Sequence, residues 1–345
     1  MNTAQLSERF KNFASMECSG SSALYEYLSI KISEDDEMLE LSSYAQEGQP
    51  VPNLILGAVH YLLLKGSNHP LKDYYPSVTD KPKGLEGSFD QLKDFCELHR
   101  DEMITILQQR LVQTNEVRRC AYLYPIFCYI YEQVQKPLSM IEIGSSAGLQ
   151  LLWDKYQYSY GTDEIYGDTQ SDVHITSEIK GEHNPSFLKK SPPVVSKVGL
   201  DLHISDLGDT DDYLWLKSLI WPEHQERLDL FENAAKRFNE DPVKLIEGDG
   251  IALLPEVIDS LPKDTPICIF HTHVANQIPE DSKRALEEKI KAIGQERDVF
   301  HLHNNMWDRQ LHLDYYLDGK EYTNTIGETD GHGRWFEWNL QKTLV

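Results

Sequence analysis

The chain has 345 residues, 40% of them hydrophobic and 26% charged, which describes an ordinary globular protein with room for one large domain and a smaller one. Its 56 acidic against 33 basic side chains leave a formal net charge of −23, which repels phosphate backbones and anionic lipid and argues against nucleic acid and membranes as partners. Cys18, Cys96, Cys120, Cys128 and Cys268 are dispersed, odd in number and set mostly in apolar runs, so they read as reduced buried thiols. Met1–Phe13 lacks a secretory pattern and the most apolar run, Leu54–Leu64, is too short to span a bilayer; a cytoplasmic location is expected.

From Gln5 to about Tyr131 the apolar residues fall three or four apart, in Leu6–Phe13, Leu24–Ile32, Leu54–Leu64, Phe89–Leu98 and Ile104–Leu111. The spacing predicts an all-helical N-terminal domain or cap over residues 1–131, broken at Gly48–Pro52 and across Gly66–Gly87. After Pro137 short apolar runs alternate with helical segments, the pattern of a parallel sheet covered on both faces. Strands are expected at Ser139–Ile143, Val194–Val198, Lys244–Glu247, Ile267–Phe270 and Asp298–Leu302. Helices are expected at Ala147–Tyr156, Asp211–Trp221, Glu223–Phe238, Ile251–Ser260 and Ser282–Gly294, with Leu311–Leu317 and Trp335–Leu340 as a terminal antiparallel pair. The fold class is therefore α/β, a Rossmann-like domain over residues 132–345.

The first strand runs into Glu142-Ile143-Gly144-Ser145-Ser146-Ala147-Gly148. Gly144 permits a sharp turn, the small Ser145 and Ser146 let a ligand approach the backbone, and Gly148 allows a helix to pack closely on the strand. Glu142, at the strand end, is placed to accept hydrogen bonds from a ribose or an amino group. The competing reading is a tight turn with no ligand. No dinucleotide Gly-x-Gly-x-x-Gly, Gly-x-Ser-x-Gly elbow or Walker loop is present.

The pattern Glu-x-Gly-x-x-x-Gly resembles the first motif of class I S-adenosylmethionine-dependent methyltransferases, with Ser146 where a middle glycine is common. That resemblance implies S-adenosylmethionine as cofactor, with Asp201 after the second strand on the ribose hydroxyls and Asp249, followed by Gly250, near the adenine amino group. Alone, Asp201 reads equally as a turn residue. Gln113-Thr114-Asn115-Glu116-Val117 with Arg119, Glu142–Leu149, Gly199-Leu200-Asp201-Leu202 and Trp221-Pro222-Glu223 together resemble the bacterial DUF2332 family over nearly the whole chain. That resemblance implies a helical region before a methyltransferase-like domain and names no substrate.

Thr114, Asn115 and Glu116 are three adjacent hydrogen-bonding side chains before an apolar helix, readable as pocket residues or as a capping network. Arg119 could pair with Glu116 or contact a carboxylate. His271 and His273 follow the fourth strand, and His301, His303 and Asn304 end the fifth, where open α/β sheets bind ligands. His271 and His273, with Glu116, are the expected acid–base groups, and Thr114, Asn115, Arg119 and Asn304 the expected substrate contacts. Convergence of the histidines on a metal is a weaker reading; no metal is expected. The sequence thus predicts a methyltransferase acting on a small or medium molecule, with a non-catalytic nucleotide-binding or scaffold protein as the alternative and a metal-dependent hydrolase third. Gly144→Val is expected to abolish cofactor binding while sparing the fold.

Overall fold

In the computed structural model, which describes residues 2–181 and 183–340, the chain opens with the helices α1 (Thr3–Phe13), α2 (Ala23–Ser33), α3 (Asp36–Ser42), α4 (Val51–Leu64), α5 (Ser88–Leu98) and α6 (Arg100–Gln109). Helix α7 (Cys120–Val134) leads into β1 (Leu138–Ile143), and the short strands β2 (Gln157–Ser159), β3 (Tyr166–Gly167), β4 (His174–Thr176) and β5 (Glu178–Lys180) precede β6 (Val194–Asp201). There follow α8 (Thr210–Ser218), α9 (Gln225–Glu240), β7 (Lys244–Glu247), α10 (Gly250–Ser260), β8 (Ile267–His271), α11 (Glu280–Gly294) and β9 (Val299–His303). The last strands are β10 (Leu311–Leu317), β11 (Lys320–Gly327) and β12 (Trp335–Glu337).

Two compact units result. The helical one holds the residues up to Thr114 together with Gly208–Asp229; the other holds Asn115–Leu207 and everything from Leu230 onward. This differs from a division at residue 131. Helix α7 is buried on every face from Cys120 to Ile130, and Phe127 packs on Trp153 at 4.6 Å and on Phe270 at 5.5 Å, so it belongs to the sheet it covers. The segment after β6 joins the helices instead, because Trp221 finds its partners there, Phe13 at 5.5 Å and Tyr25 at 5.9 Å.

In the helical unit, side-chain caps set where helices begin: Ser22 Oγ accepts the Tyr25 N–H at 3.1 Å, Asp35 the Met38 N–H at 3.0 Å, and Asp209 the N–H groups of Asp211 and Asp212. Helix α4 is buried almost throughout, and Gly57 lets the Leu219 methyl come within 3.0 Å of where a Cβ would stand.

The second unit is built on a seven-stranded sheet of order β11-β10-β9-β8-β1-β6-β7, parallel from β7 to β9 and antiparallel at β10 and β11. From β1 the chain first adds β6 and β7 on one side, then β8 and β9 on the other. That reversal puts a topological switch point at the carboxyl ends of β1 and β8, the place where open α/β sheets leave a crevice. Ile141, Ile143, Val198, Leu200, Ile267, Ile269 and Val299 form one apolar face, packed with Leu254, Leu286 and Ile290.

Three local expectations are corrected. The partner of β10 is β11 (Leu317↔Lys320), joined through Asp318-Gly319 with φ of 51° and 72°, a two-residue turn that only such residues adopt cheaply. Trp335–Glu337 pairs instead with β5, in parallel (Trp335↔Glu178). The segment after the glycine turn is a 3-10 helix, Leu149–Lys155, rather than an α-helix over Ala147–Tyr156. Side chains occupy its carbonyls: Tyr156 Oη–H donates to Leu149 O at 2.8 Å and Tyr158 Oη–H to Trp153 O at 2.5 Å. Among the described residues no helix is long and apolar enough to cross a membrane.

Candidate functional site

The site forms where β1 ends. Glu142 is the last inward-facing side chain of a fully buried strand, and beyond it Gly144, Ser146 and Gly148 adopt φ of 75°, 47° and 73°. Left-handed backbone at Ser146 costs energy for a residue with a Cβ, and the fold holds it there with two side chains. Asp201 Oδ2 accepts the Ser146 N–H at 2.7 Å, and Asn115 Nδ2–H donates to Ser146 Oγ at 3.0 Å while its Oδ1 accepts the Ala147 N–H at 3.3 Å. The remaining N–H groups of the turn are used as well: Gly144 and Ser145 donate to Leu200 O at 2.7 and 3.2 Å, and Gly148 to Ser145 O at 2.7 Å.

Gly144 is required by a neighbour. A Cβ there would collide with both methyl groups of Val274, Cγ1 at 2.9 Å and Cγ2 closer still, so the loop after β8 lies directly on the turn. This corrects the expectation that Gly144→Val spares the fold. The variant combines a strained φ with overpacking, worth roughly 1–2 and 1–3 kcal/mol. Chemical denaturation is expected to show a loss of at least about 2 kcal/mol, and an unchanged midpoint would mean that Val274 moves aside freely.

Glu142 lies 3% exposed, and its Oε2 has no hydrogen-bond partner. Burial raises its pKa well above the usual carboxyl range, the negative charge of Asp201 raises it further, and Arg119 opposes both. Ser145 Oγ is a second buried oxygen without a partner. Two buried polar atoms without a partner thus lie at and just beyond the end of β1, where the sheet has its switch point. Asp201 is committed to the turn through Oδ2 and to the His203 N–H through Oδ1, 2.9 Å away. Asp249 caps α10, accepting from Ile251 and Ala252 at 2.9 and 3.2 Å, and Gly250 opens that helix.

On the opposite side of the switch point, Arg119 donates from Nε to Gly331 O at 3.0 Å and lies 3.5 Å from both oxygens of Thr272, whose hydroxyl donates to Gln150 Oε1 at 3.1 Å. β8 ends at His271, so His273 is not on the strand: it turns to φ 57°, its N–H donating to Asn304 Oδ1 at 2.7 Å and its Nδ1 facing Asn305 Nδ2 at 3.3 Å. With the amide donating to Nδ1, the ring carries its proton at Nε2, which has no partner; His273 presents a donor rather than a base.

His271 and His301 are buried on the sheet face that carries Ile141 and Val299, with their Nε2 atoms 3.1 Å apart, and His303 Nε2 faces Asp314 Oδ2 at 2.9 Å. Burial lowers the pKa of His271 to about 3 and that of His301 far below its ordinary value, so both rings are neutral and one donates to the other. His271 thus has no access to a substrate. Among the described residues no group of three His, Cys, Asp or Glu side chains could hold a metal ion.

Glu116 is buried and accepts from the Arg118 N–H at 3.3 Å and from His332, whose Nδ1 lies 3.0 Å from Oε2. His332 was not legible as a site residue, being 216 positions from Glu116 in sequence. Its one local signal is the setting Gly331-His332-Gly333. Thr114 closes the helical unit.

A family model described as an uncharacterized protein conserved in bacteria, DUF2332, matches residues 7–338. The chain belongs to this family. No curated protein and no solved structure matches it. The matched span takes in the Asn115–Arg119 segment, the turn after β1 and the His332 loop.

Proposed function

We propose that this DUF2332 protein binds S-adenosylmethionine at the carboxyl end of β1 and methylates a small or medium molecule. The observation that carries the reading is that all five N–H groups from Gly144 to Gly148 already donate within the protein. Such a turn has none to spare for a pyrophosphate, which argues against a dinucleotide. What it offers instead is acceptors, the unpartnered Glu142 Oε2 and Ser145 Oγ, beside the carboxylate of Asp201.

Acidic and hydroxyl acceptors fit a cationic nucleoside with amine and hydroxyl donors, so the residues present suit the cofactor. When bound, S-adenosylmethionine supplies an electrophilic methyl group. Glu142 would take its hydrogen bonds, Asp201 and Asn115 would keep the turn in its strained shape, and Arg119 would face a carboxylate from across the switch point. One observation favours the second reading, a non-catalytic protein of the same fold: Val274 covers Gly144 as closely as a core contact.

Thermal unfolding separates the two. S-adenosylhomocysteine at 100 times its Kd is expected to add about 2.7 kcal/mol of stability, raising Tm, while NADH leaves it unchanged. A Tm raised by NADH and not by S-adenosylhomocysteine would reverse the assignment; no shift with either would favour the second reading.

A further inference from the structure

We infer that His332 is the proton acceptor of this site, positioned by Glu116, and that the substrate presents a protic group such as a hydroxyl to it. The part that names the substrate rests on the methyl-transfer reading; the dyad itself does not. Its basis is a carboxylate 2% exposed, Oε2 of Glu116, lying 3.0 Å from Nδ1 of a ring whose side chain is 38% exposed. A carboxylate can only accept, so Nδ1 carries the ring proton, which leaves the lone pair on Nε2 of a side chain more than a third exposed. This is the arrangement in which a third group orients a base.

The loop is built to hold that ring still. Asp330 Oδ1 accepts the N–H of His332 at 3.1 Å and the Nε–H of Arg334 at 2.9 Å, and Oδ2 accepts from Arg334 Nη2 at 2.8 Å. Gly333, at φ 71°, sits where a Cβ would fall 2.5 Å from Arg118 O, and its own carbonyl accepts from Ser177 Oγ–H at 2.8 Å. The 330–334 loop is thereby pressed onto the segment that carries Glu116 and Arg119. The charged and titratable groups around the ring are Glu116, Arg119, Asp330, Arg334 and His273. Arg119 links the dyad to the turn, since its field reaches Glu142 while its Nε–H holds the carbonyl of Gly331.

The step balances without a further reactant. The bond from the substrate heteroatom to hydrogen breaks, its electron pair stays on the heteroatom, and the proton binds the Nε2 lone pair. The resulting imidazolium is held by the Glu116 carboxylate until the proton passes to solvent.

Nitrogen-15 histidine labelling of the full chain tests this without any ligand. Long-range proton–nitrogen correlation, with His332 assigned by its loss in His332→Gln, is expected to show the Nδ1–H tautomer in the neutral ring. Glu116→Ala is expected to move the ring toward the commoner Nε2–H form, and Glu116→Gln to do so partly should the alanine variant not fold. An Nε2–H ring in the unsubstituted protein, or a tautomer indifferent to both changes, overturns the proposal. Failure of S-adenosylhomocysteine to bind leaves this result standing and removes the methyl-transfer reading alone.

Discussion

Lowering the pH from 6.5 toward 4.5 is expected to destabilise the protein progressively, by up to about 3 kcal/mol per pH unit. The cause is a set of histidines that the fold keeps neutral. Burial lowers His60 to about 4 and His271 to about 3, and drives His301 well down as well. His60 is held between Ser218 O at 2.9 Å and Ser77 Oγ at 2.7 Å, with no carboxylate to stabilise a charge. In the unfolded chain each titrates near 6.5. Below that value the unfolded state takes up protons that the folded state refuses, so the stability present above pH 6.5 is lost as the pH falls. Each refused proton is worth about 1.4 kcal/mol per pH unit. Glu142 works in the opposite sense, because its raised pKa lets the folded state keep a proton that the unfolded chain releases. It offsets part of what the three histidines contribute. His273, also lowered to about 3, is only half-buried and adds less than a full share. Unfolding free energies measured across this range give the proton number directly, and a flat profile would mean the rings are charged in the folded protein.

Glu142→Gln should make the protein more stable and useless as a binder. Near neutral pH the buried carboxyl bears a desolvation cost with no partner for Oε2, and the isosteric amide carries no charge. The amide escapes the cost that burial places on the ionised carboxyl, about 1.4 kcal/mol for each pH unit by which the pKa is raised, or some 2–4 °C in Tm for each kcal/mol in a unit of this size. The same change removes the negative charge on which a cationic ligand depends. Stability gained while binding is lost is the signature of a residue kept for function. Should the variant be less stable, Glu142 has a structural partner and the site is misplaced.

Much of this could be read from the chain, and what could not has physical reasons. The inner parallel strands announce themselves because strands buried on both faces are near-continuous apolar runs, as Ile267–Phe270 is. The turn at Gly144–Gly148 was legible from its small residues. Its occupancy was not: nothing local says that Asp201 spends one oxygen on Ser146, or that Val274 lies on Gly144. The β10–β11 hairpin was written in Asp318-Gly319, a two-residue signal outweighed by the aromatic pattern around Trp335. The paired histidines were visible, yet strand alternation alone could not tell a buried face from an open one. His271 and His301 fell on the former, and the base with access to solvent, His332, came from a loop that only the folded chain brings to Glu116.

We propose that the acceptors at the end of β1 receive S-adenosylmethionine. Isothermal titration of the full chain with S-adenosylmethionine and with S-adenosylhomocysteine near neutral pH tests it most directly. Saturable binding to a single site, lost in Glu142→Gln, is the predicted result. Folded protein that binds neither compound would contradict it.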